Sequence, residues 1–364
     1  MSTIAVQDVR GLFTKKVIQV LDIKPKPTQF LMSMFKKNIA HSKEISIEVR
    51  RHHEFIAADV QRGTGGNYNR FDNSTEKVFV PPYFEEYFFL NELDGYDRIF
   101  SDKQEIDGEV FSRMVGMAAE KLELLKYKVM RSYELQCAQV FQTGIVTTIA
   151  GDNINFRRQA DSMAVLPSNQ RWTETSVDPD DTLEEGGRFI RTQGLATGDM
   201  YNVIFGANAW KAYLNNPIIQ NKADNRRYYN LKDLNSPMMN AEGASYHGTV
   251  SAGSYNFNCW TYEQFYNPAG TDKTGKVPYI DSDKIIILPN MPMFNFGYAQ
   301  VPLIARDMGR SQFPQYIKYQ PGDFFMDNYV DPRYKNHIFE LMSAGLAIPT
   351  QIDAIFSKSV VATS

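Results

Sequence analysis

Apolar residues recur at three- and four-residue steps between Ile106 and Gln142: Phe111, Met114, Ala118, Leu122, Leu125, Val129, Tyr133, Cys137 and Val140. That period predicts one long amphipathic helix. No proline interrupts the stretch, and glycine occurs in it only at Gly108 and Gly116. At ~1.5 Å per residue it spans about 55 Å, too long to be centred on one small domain. Thr143-Gly144 supplies the stop, and Ile154-Asn155-Phe156 carries a strand pattern after it.

Upstream the pattern is broken. Lys24-Pro25-Lys26-Pro27 ends any earlier helix. Thr28 is then placed to cap a turn carrying Phe30, Leu31, Met34 and Phe35 on one face. Ile45, Ile47 and Val49 alternate with Ser46, Glu48 and Arg50, the signature of a half-buried strand. Residues 1–50 thus read as an extended arm with one short helix. A turn cluster, Arg62-Gly63-Thr64-Gly65-Gly66-Asn67, excludes regular structure there. Beyond it, eight aromatics fall between Phe79 and Phe100. So much apolar surface is costly in a bare projecting loop. Either the segment folds back on its own core, or a neighbouring subunit covers it.

Asp178-Pro179-Asp180-Asp181 opens a region of a different kind. Thr182 to Gly194 reads as a helix and Val203-Ile204-Phe205 as a buried strand. Asn208 to Leu214 reads as a short helix stopped by Pro217. Tyr255, Phe257 and Cys259 alternate with Asn256, Asn258 and Trp260, and Ile285-Ile286-Ile287-Leu288 is a second buried strand before Pro289. Short helices mixed with strands between about 178 and 312 make a second α/β lobe. From Phe313 the chain is polar and aromatic up to Asp331-Pro332-Arg333, then reads as an alternating apolar strand, and Pro349 separates the last amphipathic segment. These last 50 residues are expected to return to the first lobe.

The 364 residues suit two lobes better than one. With 43% hydrophobic residues, wholesale disorder is excluded. A net charge of −3 leaves no global footprint for nucleic acid. The first 51 residues do hold ten Lys/Arg against four Asp/Glu, which reads as a solvated arm before it reads as a weak DNA contact. Cys137 and Cys259 lie far apart, outside any CxxC pairing, and are expected as buried reduced thiols in a reducing cytoplasm. Neither a secretory signal nor an apolar run of ~20 residues occurs, so no membrane partner is expected.

The search for chemistry is brief. Ser33-Met34-Phe35-Lys36 fits S-x-x-K and Lys273-Thr274-Gly275 fits K-T-G, but the S-D-N element of an acylating serine enzyme is absent. Gly63-Thr64-Gly65-Gly66 lacks the G-K-[ST] of a phosphate cradle. His52-His53-Glu54 is the one local group of metal-ligand types, and adjacent strand residues point to opposite faces. His41, His247 and His337 are isolated, and Asp180-Asp181 suits a helix start. No catalytic, cofactor-binding or metal residue is assigned.

The order of these segments is similar to that of the lambda-type tailed-phage major capsid proteins, the E family. Phe313 to Val361 carries most of the likeness. Pro27-Thr28-Gln29-Phe30-Leu31 with Phe35 resembles the family's opening anchor. Ile45-Ser46-Ile47-Glu48, then Phe55-Ile56-Ala57 and the Gly63–Gly66 turn, resembles its lead into an extended loop. The Asp178-Pro179 helix, the Ile204-Phe205 strand and the Trp210 helix follow in the family's order.

The resemblance implies an α+β chain with the Hong Kong 97-type capsid fold. Its parts would be an N-terminal arm and leading strand over 1–54, an extended loop over 55–100 and a peripheral domain over 101–177 with a spine helix at 106–142. An axial domain over 178–312 and a C-terminal return to the peripheral domain over 313–364 complete it. It further implies a shell subunit, not an enzyme, that self-assembles into pentamers and hexamers around packaged double-stranded DNA. A neighbouring subunit would then cover the aromatic loop. Scaffold, portal and decoration proteins are the implied partners, with non-specific DNA contact, in a virion capsid assembled in the host cytoplasm. The start at Met1 fits a separately encoded scaffold, and no crosslinking Lys–Asn pair is assigned. An encapsulin-like compartment and a soluble α/β enzyme are the alternatives.

Overall fold

A computed structural model of the protein describes residues 26–50, 74–90, 107–148, 153–196, 198, 200–224, 232–239, 242–268, 275–290, 294–305, 316–320, 322–331 and 336–361. Near its start lies α1, Phe30–Ser33, a single turn whose N-cap Gln29 makes no side-chain capping bond. The expected cap, Thr28, instead places its Oγ1 2.6 Å from the Tyr262 hydroxyl. β1, Lys36–Ile39, follows. β2, Ile45–Arg50, is the strand that the Ile45/Ile47/Val49 alternation predicts, and it pairs antiparallel with β3, Ser74–Phe79. The glycine turn at 63–66 lies outside the described residues. β4, Tyr83–Leu90, completes this part.

The long helix α2 runs from Asp107 to Thr143, 37 residues, one residue beyond the predicted 106–142 at its far end. Val129, Tyr133, Cys137 and Val140 of the predicted stripe are buried; the side chains of Phe111 and Met114 lie outside the described residues. Gly144 ends the helix at φ +67°, donating its N–H to Val140 O at 3.0 Å. β5, Ile145–Val146, then pairs with β6, Ile154–Asn155.

α3 occupies Pro179–Thr192, opening three residues before the predicted start because Asp178 accepts from the Asp180 N–H and Pro179 fills the first helical position. β7, Met200–Phe205, is followed by α4, Ala207–Asn215. Pro217 does stop α4, and it also opens α5, Pro217–Asp224. Next come β8, Lys232–Met239, β9, Ser245–Ala252, and β10, Tyr255–Thr261. The short pair β11, Phe265–Tyr266, and β12, Val277–Pro278, precedes β13, Lys284–Pro289. The chain ends through β14, Phe294–Tyr298, β15, Val301–Ala305, β16, Tyr316–Gln320, β17, Phe325–Asp331, β18, Asn336–Pro349, and β19, Phe356–Ser359.

Two larger sheets result. One is six-stranded in the order β19-β13-β7-β10-β9-β8; the other runs β1-β14-β18-β17, with β4 also on β18. The first core gathers α1, α2 and the five-stranded sheet, and the second gathers α3, α4 and α5. The six-stranded sheet serves both. Val203, Phe205, Ile285 and Ile287 enter the second core, while Ile204, Ile286 and Leu288 enter the first. A strand covered on both faces reads as an unbroken apolar run, which is what Ile285–Leu288 shows.

The pairing changes over between β13 and β14, since β14 pairs with β18. The last segment visits both halves, because β18 lies in the five-stranded sheet and β19 pairs with β13. β18 is buried at every residue from Leu341 to Pro349, so the expected alternation is lost there. α2 covers one face: a Cβ on Gly345 would stand 2.8 Å from the Tyr133 ring. Ile45 of β2 lies on the other, where a Cβ on Gly297 would stand 2.6 Å from its side chain.

Candidate assembly surface

β4 shows how the aromatic segment is used. Its register places Tyr83 opposite Ala344, Glu86 opposite Leu341 and Phe89 opposite Ile338. Successive side chains point to opposite faces. One set meets the long helix: Phe84 packs on Tyr133 at 5.5 Å between ring centroids, and Glu86 pairs with Lys128 at 2.6 Å. Phe88, on that same face, stacks on Phe339 at 5.3 Å under the Lys121 ammonium.

The other set stays in solvent. Tyr83, Tyr87 and Phe89 are 45%, 58% and 50% exposed, and Val78 and Val80, before β4, are exposed as well. The Tyr87 and Phe89 rings touch, with centroids 6.2 Å apart. The segment thus folds back on its own core through one face of the strand and leaves the other exposed. Tyr96 and Phe100 lie outside the described residues. A row of this kind, free on one side and rigidly backed on the other, suits a protein contact.

A second feature joins the first segment to the long helix. Glu134 is fully buried, and its carboxylate accepts from the Leu31 N–H at 2.8 Å, the Met32 N–H at 3.0 Å and the Tyr262 hydroxyl at 2.9 Å. The orphan amides of α1 are therefore capped from a residue 103 positions away. Phe30, Leu31 and Phe35 close the joint, with Phe35 against Phe141 at 5.1 Å. Part of the expected arm is thereby core. The sequence offered no signal for Glu134, which stands among the ordinary charges of a long helix.

Elsewhere the buried polar groups hold elements together. Arg158 donates to Phe141 O at 2.7 Å and Ile355 O at 3.0 Å, tying the end of α2 to the approach of β19. Burial lowers its guanidinium to about 9, with Asp353 opposing. Asp180 accepts from the Tyr213 hydroxyl at 3.0 Å and from Lys222 at 2.9 Å; Lys222 also reaches Asp178. The two cysteines are buried thiols, and burial pushes the Cys137 thiol up.

The motifs weighed for chemistry are not brought together. Ser33 Oγ donates to its own turn at Phe30 O, 2.7 Å, and Lys36 lies on the exposed β1. Lys273-Thr274, Gly63–Gly66 and His52-His53-Glu54 lie outside the described residues. His41 is exposed. The His247 ring bonds Thr261 Oγ1 at 2.8 Å against Trp210, and burial lowers its pKa. The His337 side chain is not among those described. Among the described residues no three His, Cys, Asp or Glu side chains gather for a metal, and no helix is long and apolar enough to cross a membrane.

Two solved structures share this fold. A protein described as a prophage capsid protein from E. coli CFT073 is similar at a TM-score of 0.58 and 13% identity, covering 96% of this chain and 98% of its own. The subunit of the mature capsid of bacteriophage PhiM1 is similar at a TM-score of 0.51 and 9% identity, covering 94% and 90%. No curated protein sequence matches. At the level of sequence family, residues 13–360 match the phage major capsid protein E family. The match spans the long helix, both sheets and the aromatic strand, and the chain belongs to that family of phage major capsid proteins.

Proposed function

We propose that the chain is the main shell subunit of a tailed bacteriophage, closing into pentamers and hexamers around double-stranded DNA. The family match over residues 13–360 carries this reading, and it favours a virion over a cargo compartment of encapsulin type. In this proposal the segment 101–177, with α2 as its spine, and the return at 313–364 form the peripheral domain, with β14 joined to it by its pairing on β18. Residues 178–312, apart from β14, form the axial domain near the capsomer axis, with β19 added at its edge, and 55–100 the extended loop. Ring contacts of this sort are heterologous, one patch meeting a different patch on the next copy. The exposed row Tyr83, Tyr87 and Phe89 supplies one such patch. Each contact is modest, but a closed shell makes many at high effective concentration.

Scaffold, portal and decoration proteins are the further partners proposed, in a host cytoplasm that suits two reduced thiols. DNA contact would be electrostatic and non-specific, and weak for a chain of net charge −3. No catalytic role is assigned. Electron microscopy of the chain expressed alone and with its neighbouring reading frames tests the reading. Uniform icosahedral particles holding nucleic acid are expected. Particles filled with a protein cargo would favour the compartment, and only small compact particles under both conditions would sink the shell reading.

A further inference from the structure

The carboxylate of Glu134 sits in a chain of hydrogen bonds that can run in either direction. The Tyr262 hydroxyl lies 2.9 Å from Glu134 Oε1 and 2.6 Å from Thr28 Oγ1, and in the second bond either oxygen can donate. With Glu134 ionised, Thr28 donates to Tyr262, and Tyr262 donates to Glu134. With Glu134 protonated, its O–H donates to Tyr262, and Tyr262 turns to donate to Thr28. Both arrangements satisfy the hydroxyls. Only the first holds a charge out of water.

We propose that this chain is a proton-operated latch, which fastens residues 28–35 to the long helix most tightly when Glu134 is protonated and loosens once it ionises. The latch is a property of the subunit alone and does not rest on the shell reading. The groups facing Glu134 agree with it. Glu242, from the turn before β9, repels the carboxylate. Cys137, one turn on along α2, and the phenols of Tyr262 and Tyr279 are all held neutral by burial. The Arg131 charge acts on Tyr279.

Burial is the largest influence on Glu134; the bonds from Leu31, Met32 and Tyr262 oppose it, and the carboxyl is pushed up from 4.5 to about 7. Unfastened and hydrated, the group titrates near its ordinary 4.5. The fastened form therefore binds the extra proton. Its advantage is complete below about 4.5 and is lost as pH rises through about 7.

Amide hydrogen exchange of the full unassembled chain across this range reads the latch at Leu31 and Met32. After correction for the intrinsic rate, protection of both amides should fall by about tenfold per pH unit over the window, then level off. E134Q cannot ionise and should show no such slope. Y262F removes a bond that lowers the Glu134 pKa and should move the levelling point to higher pH. A flat wild-type profile, or the same slope in E134Q, overturns the proposal. Should E134Q fail to fold, an unshifted profile in Y262F overturns it as well.

Discussion

The two halves of the molecule are built in different ways. The half around α3, α4 and α5 draws on one nearly continuous stretch, 178–290, and takes in β19 as its edge. The half around α2 is collected from distant pieces: α1, β1, β4, β14, β17 and β18. Its pairings span most of the chain, as Lys36↔Asn295 and Phe89↔Ile338 show. Long-range pairing meets a loop-closure cost before it is repaid by contacts. That same half carries the solvent-facing row of Tyr83, Tyr87 and Phe89 and the buried Glu134. The contiguous half is built from one run of chain. The collected half carries the row proposed as a contact surface and the joint proposed to respond to protons.

The largest expected effects break this contrast directly. Phe205→Ala in one half and Tyr133→Ala in the other should each cost roughly 3–5 kcal/mol, seen in denaturant unfolding of the unassembled subunit. Phe205 packs on Trp172, Trp210 and Tyr213; Tyr133 packs on Phe84 and Phe296 and bonds Ser343. Because β7 and β13 feed both cores, each variant should still unfold in one transition. A second, unshifted transition in either would show that the halves are independent.

Acidification tests the joint. Relative to E134Q, the wild-type chain should gain stability as pH falls from about 7 towards 4.5, by at most about 1.4 kcal/mol per pH unit for one proton. Equal pH dependence in the two chains would remove Glu134 from the account. In the contiguous half, Lys222→Ala should cost only about 1 kcal/mol, since the ammonium that joins Asp178 and Asp180 is partly exposed. A loss several times larger would mean that α5 depends on this pair. The double variant Y87S/F89S should shift subunit stability by less than about 0.5 kcal/mol. Sedimentation of the expressed particles should nonetheless show loss of closed shells. Shells in normal yield would remove the row from assembly.

The long helix was legible because its stripe repeats over about eight turns with no proline, and the structure moves its limits by a single residue. Pro217 was legible as a stop, but not as the start of α5, since one residue type does both jobs. The aromatic density before Phe100 was plain, yet which rings face inward depends on β4 pairing with β18, some 250 residues away. Tyr87 and Phe89 differ from Phe84 and Phe88 only in parity along the strand. Thr28 had the right chemistry for a cap and bonds Tyr262 instead, because Glu134 already serves the amides of α1.

What the sequence determined by itself is whatever its local period and its family pattern can carry: the long helix, placed at 106–142, the strands at Val203, Phe257 and Ile285, and membership of a capsid family. Tertiary structure alone decided that the six-stranded sheet divides two cores, that β18 is buried on both faces, and that one carboxylate of the long helix caps α1. A local pattern records whether a face is apolar, while its partner across space is set by the packing of segments that the sequence holds far apart.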